Sequence, residues 1–164
     1  EGAAAVEAAG AGSSRIAGIL VHRLFEQVEA ARHEDDQALD RRIGLLLRPS
    51  ERVGLNDEST VVEAARRCFK AMVARAAIVS LMSCTERWHE VPFSVVDGDS
   101  LVEGTIDGVI RDGDQLVVVE FKTGRPSPLH RAQLSTYVRA VRALEAGATV
   151  RGVLVYPNED VLVD

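Results

Sequence analysis

Apolar residues recur at helical spacing through the first half of this chain and at strand spacing through the second. From Ser14 the pattern predicts a helix of about 18 residues, with Ile16, Ala17, Leu20, Val21, Leu24, Phe25 and Val28 on one wide apolar face. The run HEDDQALDRRIGLLL predicts a second helix, closed at Arg48-Pro49 because proline cannot continue it. PSERVGLNDES reads as a loop. Thr60, with Glu63 three residues later, forms a capping box that opens a helix to about Ala76. Its inward positions are Val61, Ala65, Cys68, Phe69, Met72 and Val73. AAIVSLMS extends that helix or begins a short new one.

At Trp88 the apolar period drops from about 3.6 residues to about 2. HEVPFSVV predicts a strand, Asp97-Gly98 a turn, residues 101–111 a second strand and residues 115–122 a third, in an antiparallel meander. After Thr123-Gly124, Ser127 is placed to cap a helix whose first position is Pro128 and whose stop is Gly147. TVRGVLVYP predicts a last strand. The fold class expected is α/β: N-terminal helices, then the meander, a helix and a further strand in one mixed sheet.

The chemistry concentrates in residues 104–137. GTIDGVI and LVVVEFKTG are apolar strands whose internal charges are Asp107, Glu120 and Lys122. Strands exclude such groups unless something compensates, since burying an unpaired charge costs several kcal/mol. Alternation puts Glu120 and Lys122 on one face. With Asp112-Gly113 as the hairpin loop, Asp107 pairs with Val118 and lies diagonal to Glu120. With Gly113-Asp114 it lies directly opposite Glu120. Either way the two carboxylates share a face, and only an odd-length loop separates them. Two carboxylates beside an ammonium suit a divalent cation; a structural ion-pair cluster is the plain alternative. Gln133 and Tyr137 stand one turn apart on the following helix. Glu90 reads as a functional carboxylate or as a salt-bridged edge residue. His22, at the edge of the first helix's apolar face, carries no local signal of its own.

Bulk properties narrow the field. The 164 residues suit one compact unit, and 46% hydrophobic with 27% charged residues is ordinary for a globular chain. Cys68 and Cys84 have neither CxxC spacing nor a disulfide framework. No apolar run reaches membrane-spanning length and no signal peptide is evident, so a cytoplasmic setting is expected. Residues 1–14, EGAAAVEAAGAGSS, read as a linker or frayed end leading into a domain over 15–164. The net charge of −6 opposes a large nonspecific nucleic-acid surface. Arg111, Lys122, Arg125, Arg131, Arg139, Arg142 and Arg151 nevertheless offer a local basic rim. Lysine occurs only at positions 70 and 122, in a chain that otherwise uses arginine. There is no G-x-x-x-x-G-K-[ST] loop, so helicase activity is not expected of this chain.

GILVHRLFE, HEVPF, GTIDGVI, VVVEFKTG and QLSTY, in this order, resemble the RecB-type nuclease domain of the PD-(D/E)XK superfamily. The likeness is greatest to the C-terminal nuclease domain of RecB- and AddA-like helicase–nuclease subunits, over about residues 15 to 156. That resemblance implies a metal-dependent deoxyribonuclease, exonuclease before endonuclease, serving double-strand-break repair and recombination. The partners it implies are single-stranded DNA or duplex ends and a fused or associated helicase, without a membrane, in the bacterial cytoplasm at the nucleoid. His22, Asp107, Glu120 and the main-chain carbonyl of Phe121 are then metal ligands, and Lys122 is the catalytic lysine. Gln133 and Tyr137 then lie near the substrate phosphate, and Glu90 is a recurrent acid. The cofactor implied is Mg²⁺, with Mn²⁺ able to substitute because imidazole is softer than Mg²⁺ prefers. Glu-Phe-Lys stands where the family commonly has Asp-Tyr-Lys. Two cysteines cannot supply the four-cysteine iron–sulfur cluster of AddB- and Cas4-like relatives, so no cluster is expected. The competing reading is a catalytically inactive domain that binds DNA ends or scaffolds a repair complex.

Overall fold

The structure, a computed structural model, describes residues 11–163. Most of the linker expected over residues 1–14 therefore lies outside the described residues. The chain forms two compact units: residues up to Val79 with Lys122–Arg125 and Tyr156–Asn158, and the remainder, residues 80–121, 126–155 and 159–163.

The first unit is helical. Its elements are α1 (Ala11–Glu26), α2 (Val28–Ala31), α3 (Asp36–Leu46), α4 (Pro49–Arg52) and α5 (Glu58–Val73), with α6 (Ala76–Met82) following. The α1 face read from the sequence is buried as expected, from Ile16 to Val28. The helix already includes Ala11, the first described residue, ahead of Ser14, and breaks at Gln27, where φ is −114°. Phe25 of α1 meets Phe69 of α5 edge to face, with ring centroids 5.2 Å apart. Asp36 of α3 accepts from Lys70 of α5 and, at 2.7 Å, from Arg66 of α5. Arg23 donates to both Glu51 oxygens, at 2.8 and 2.6 Å, and to the Leu46 carbonyl at 2.8 Å. These bonds tie α1 to α4 and to the end of α3.

Two expectations for this unit need correction. The α5 cap is Asp57, whose carboxylate accepts from Ser59 N at 2.9 Å. Thr60 is the third residue of this helix, which begins at Glu58, and donates its own hydroxyl to the Asp57 carboxylate, so it is not the cap. PSERVGLNDES is also not wholly loop: Pro49 opens a single helical turn, where its fixed φ suits the first position.

The second unit is a five-stranded mixed sheet in the order β1 (Arg87–Asp97), β2 (Ser100–Asp112), β3 (Gln115–Phe121), β4 (Thr149–Val155), β5 (Asp160–Val163). The first three strands form the antiparallel meander, β4 runs parallel to β3, and β5 returns antiparallel. A parallel neighbour requires a crossover, here α7 (Pro128–Leu144), capped by Ser127 as expected. The α/β class and the single mixed sheet agree with the sequence pattern, which did not reveal the four-residue edge strand β5. Strand β3 is central and buried from Leu116 to Phe121. It ends at Phe121, so Lys122 stands just beyond the strand and not within it. Asp112 pairs with Gln115, and Gly113 has φ +61° as the first central residue of a II′ turn, so the loop is Gly113-Asp114. The β1–β2 turn is likewise one residue on, at Gly98-Asp99. Gly152 of β4 admits α7 closely: a Cβ there would lie 2.8 Å from Leu134 Cγ and 2.9 Å from Val138 Cγ2.

Candidate metal centre

The register of the meander decides which side chains meet. In β1–β2, His89 pairs with Gly108 and Val91 with Ile106, which leaves Glu90 across from Asp107. In β2–β3, Gly108 pairs with Val119, and one further step sets Asp107 across from Glu120. Three adjacent strands thus each contribute one acid to a single row. A carboxylate oxygen of Glu90 lies within 4.8 Å of one of Asp107. Asp107 Oδ2 accepts from the Phe121 main-chain N–H at 2.7 Å, where the ladder would otherwise continue. That bond fixes the orientation of the Asp107 carboxylate. Glu120 is 3% exposed and is the buried charged residue among the described residues.

Glu90 is held in an unusual backbone. Its φ is +50°, in the left-handed region, and it is the non-glycine residue with positive φ among the described residues. Such a conformation costs about 1–3 kcal/mol and persists where surroundings impose it. It also breaks the alternation of the strand. Trp88 and Val91, three apart, line the same cavity against Val141 and Leu144 of α7, whereas a regular strand would send them to opposite faces. The strained backbone coincides with the residue whose carboxylate lies within 4.8 Å of that of Asp107.

Like charges in neighbouring strands repel, and a buried carboxylate needs a compensating cation or a proton. The donor set is hard oxygen, which suits Mg²⁺, Mn²⁺ or Ca²⁺ over softer metals. On that chemistry the row fits a divalent ion. The other candidates fall into two groups. Gln133 and Tyr137 of α7 form a bonded pair, Gln133 Nε2 donating to the Tyr137 hydroxyl at 2.7 Å. His22 and Lys122 belong to the helical unit. There α1 lies against the segment Lys122–Arg125: a Cβ on Gly18 would be 3.2 Å from Thr123 Oγ1. His22 is one turn further along the same helix face. The basic rim is thinner than its sequence suggests. Arg111 is bonded to Glu86, Arg151 to Asp112 and Arg142 to the Val150 carbonyl, while Arg125, Arg131 and Arg139 are exposed.

Compared with known protein families, residues 2–161 match the PD-(D/E)XK nuclease superfamily. The chain belongs to that superfamily. Comparison with curated proteins finds no match. Membership in the PD-(D/E)XK superfamily places the domain among metal-dependent nucleases, and its meander brings carboxylate oxygens of Glu90 and Asp107 within 4.8 Å of each other. Among the described residues no helix is long and apolar enough to cross a membrane. Two features of the sheet unit had no signal in the sequence. The left-handed backbone of Glu90 is one, since nothing in HEVPF marks it. The other is the contact of Phe93 with Gly104, which depends on cross-strand register.

Proposed function

We propose that this domain is a Mg²⁺-dependent deoxyribonuclease of the RecB/AddA kind that degrades single-stranded DNA or duplex ends as an exonuclease. In this reading Mn²⁺ substitutes, residues 15–164 are the nuclease domain, and a fused or associated helicase feeds it DNA. Its setting is double-strand-break repair and recombination in the bacterial cytoplasm, at the nucleoid. The observation that carries the chemistry is the row of acids Glu90, Asp107 and Glu120 on three adjacent strands.

Asp107 and Glu120 are the proposed carboxylate ligands, with Glu90 beside them, and the Phe121 carbonyl and His22 complete the protein's share. His22 rests on the family resemblance and on its helix face, which is turned to the segment beginning at Lys122. A divalent ion held there would neutralise charge at the scissile phosphate and make water nucleophilic near neutral pH. The protein's own groups do the rest. The Phe121 N–H holds the Asp107 carboxylate in place. Lys122 follows Phe121 directly and brings an ammonium that orients the attacking water and stabilises charge developing on the phosphate. Gln133 and Tyr137 present hydrogen-bond donors to the phosphate oxygens. Hydrolysis joins the water oxygen to phosphorus and breaks the bond to the leaving oxygen, which departs with a proton.

The test is incubation of end-labelled single-stranded DNA with Mn²⁺, with and without EDTA, in the absence of ATP. Cleavage that EDTA abolishes supports the proposal, and mononucleotide products from the labelled end support an exonuclease. Equal degradation in both tubes, or none at all with DNA still bound, would sink it.

A further inference from the structure

Within the sheet unit, a glycine of β2, a ring of β1 and a ring of α7 form a stack. Gly104 of β2 is the ladder partner of Phe93 of β1. A Cβ on Gly104 would lie 2.9 Å from Phe93 Cε1 and 3.2 Å from Cζ, so the ring occupies the space a side chain would need. The same point is 3.7 Å from Tyr137 Cε1. The rings of Phe93 and Tyr137 meet edge to face, 5.2 Å apart at 68°. Phe93 and Tyr137 are both buried, at 7% and 9% exposure, so neither ring has room to move without the other.

Tyr137 is held at its other end as well. Its hydroxyl oxygen accepts from Gln133 Nε2 at 2.7 Å, and because Nε2 is a donor, that bond leaves the phenol's own O–H proton for a different acceptor. The phenol is fixed through its ring by Phe93 and through its oxygen by Gln133. A hydroxyl donor fixed at both ends suits an anionic oxygen, because no reorganisation is needed when charge develops on it.

We propose that Phe93, seated on the bare backbone of Gly104, is a positioning residue that holds the Tyr137 hydroxyl for a substrate phosphate oxygen. Phe93 touches neither metal nor DNA in this scheme and acts through Tyr137. The proposal rests on the nuclease reading for its substrate, but the stack itself can be tested separately.

The full chain is labelled with ring-fluorinated tyrosine. It has two tyrosines, Tyr137 and Tyr156, so fluorine NMR gives two resonances that Tyr137→Phe assigns. Phe93→Leu and Gly104→Ala should each shift or broaden the Tyr137 resonance and leave that of Tyr156 in place. On DNA with Mn²⁺, both should lower kcat about tenfold with KM changed by less than about twofold, as expected for lost orientation. In a Tyr137→Phe background, Phe93→Leu should lower kcat no further. Gly104→Ala, the smaller change, covers the case in which Phe93→Leu does not fold. An unmoved Tyr137 resonance in both variants, or an undiminished kcat loss in the Tyr137→Phe background, overturns the proposal. If the parent does not cleave DNA, the nuclease reading fails while the fluorine spectra still decide whether the stack positions Tyr137.

Discussion

Asp107 and Glu90 carry charge and backbone effects that substitution can separate. Asp107→Ala removes a repelling charge but strands the Phe121 N–H that its Oδ2 accepts. An unmade bond at a part-buried donor costs about 1–3 kcal/mol. Asp107→Asn keeps an acceptor and removes only the charge, a gain of up to about 1 kcal/mol. Without metal, thermal melts should therefore rank Asn at or above the parent and Ala below it, with cleavage lost in both. Equal destabilisation by Asn and Ala would favour a structural ion-pair cluster. At Glu90 the comparison is glycine against alanine. Both remove the carboxylate, but only glycine adopts φ +50° without strain. Glu90→Gly should be more stable than Glu90→Ala by about 1 kcal/mol in denaturant titrations, with equally weakened Mn²⁺ binding. Equal stability would mean the strand is regular in solution.

At the scale of elements, α7 must lie close to the sheet for Gln133 and Tyr137 to face the meander. Gly152 permits that approach on β4, since any Cβ there meets Leu134 and Val138 under 3 Å. Gly152→Ala should cost about 1–3 kcal/mol by overpacking. Adding Leu134→Ala should recover part of the loss, because the two changes share one volume. Additive losses in chemical denaturation would show that the helix is not seated on that glycine. The parallel pairing of β3 with β4 depends on this same crossover, so the substitution loads the strand that carries Glu120.

For the molecule as a whole, acid stability follows from how the helical unit is tied together. Arg23 beside Glu51 holds that carboxyl well below its ordinary 4.5, at about 2, aided by the Arg48 N–H. A carboxyl with a depressed folded pKa stabilises above its unfolded pKa and loses that contribution as pH falls through the folded value. The parent should therefore lose about 1–2 kcal/mol between about pH 4.5 and pH 2 from this pair, allowing for solvent screening. Glu51→Gln should start lower at neutral pH and show a flatter slope across that window in pH-dependent melts. Identical slopes would remove Arg23–Glu51 as the tie. Arg23 is the neighbour of His22, so the same variant checks whether α1 keeps its place.

Composition and periodicity alone determined the helical first half, the meander, the capped crossover helix and the buried faces of α1 and α5. Those features follow from local rules: the spacing of apolar positions, a proline at a helix start, a Ser cap. The conjunction of Asp107 and Glu120 on one face was also legible, because either even-length hairpin loop produces it. Which loop forms was not legible, since Asp112-Gly113 and Gly113-Asp114 both satisfy hairpin chemistry, and the choice made Asp107 and Glu120 direct neighbours. The capping box at Thr60 was a sound local signal overridden by Asp57, a competing acceptor three residues before it. Only tertiary structure brought Glu90 into the row and seated Phe93 on Gly104, because cross-strand register and a left-handed backbone are set by the packing of β1 against β2 and α7.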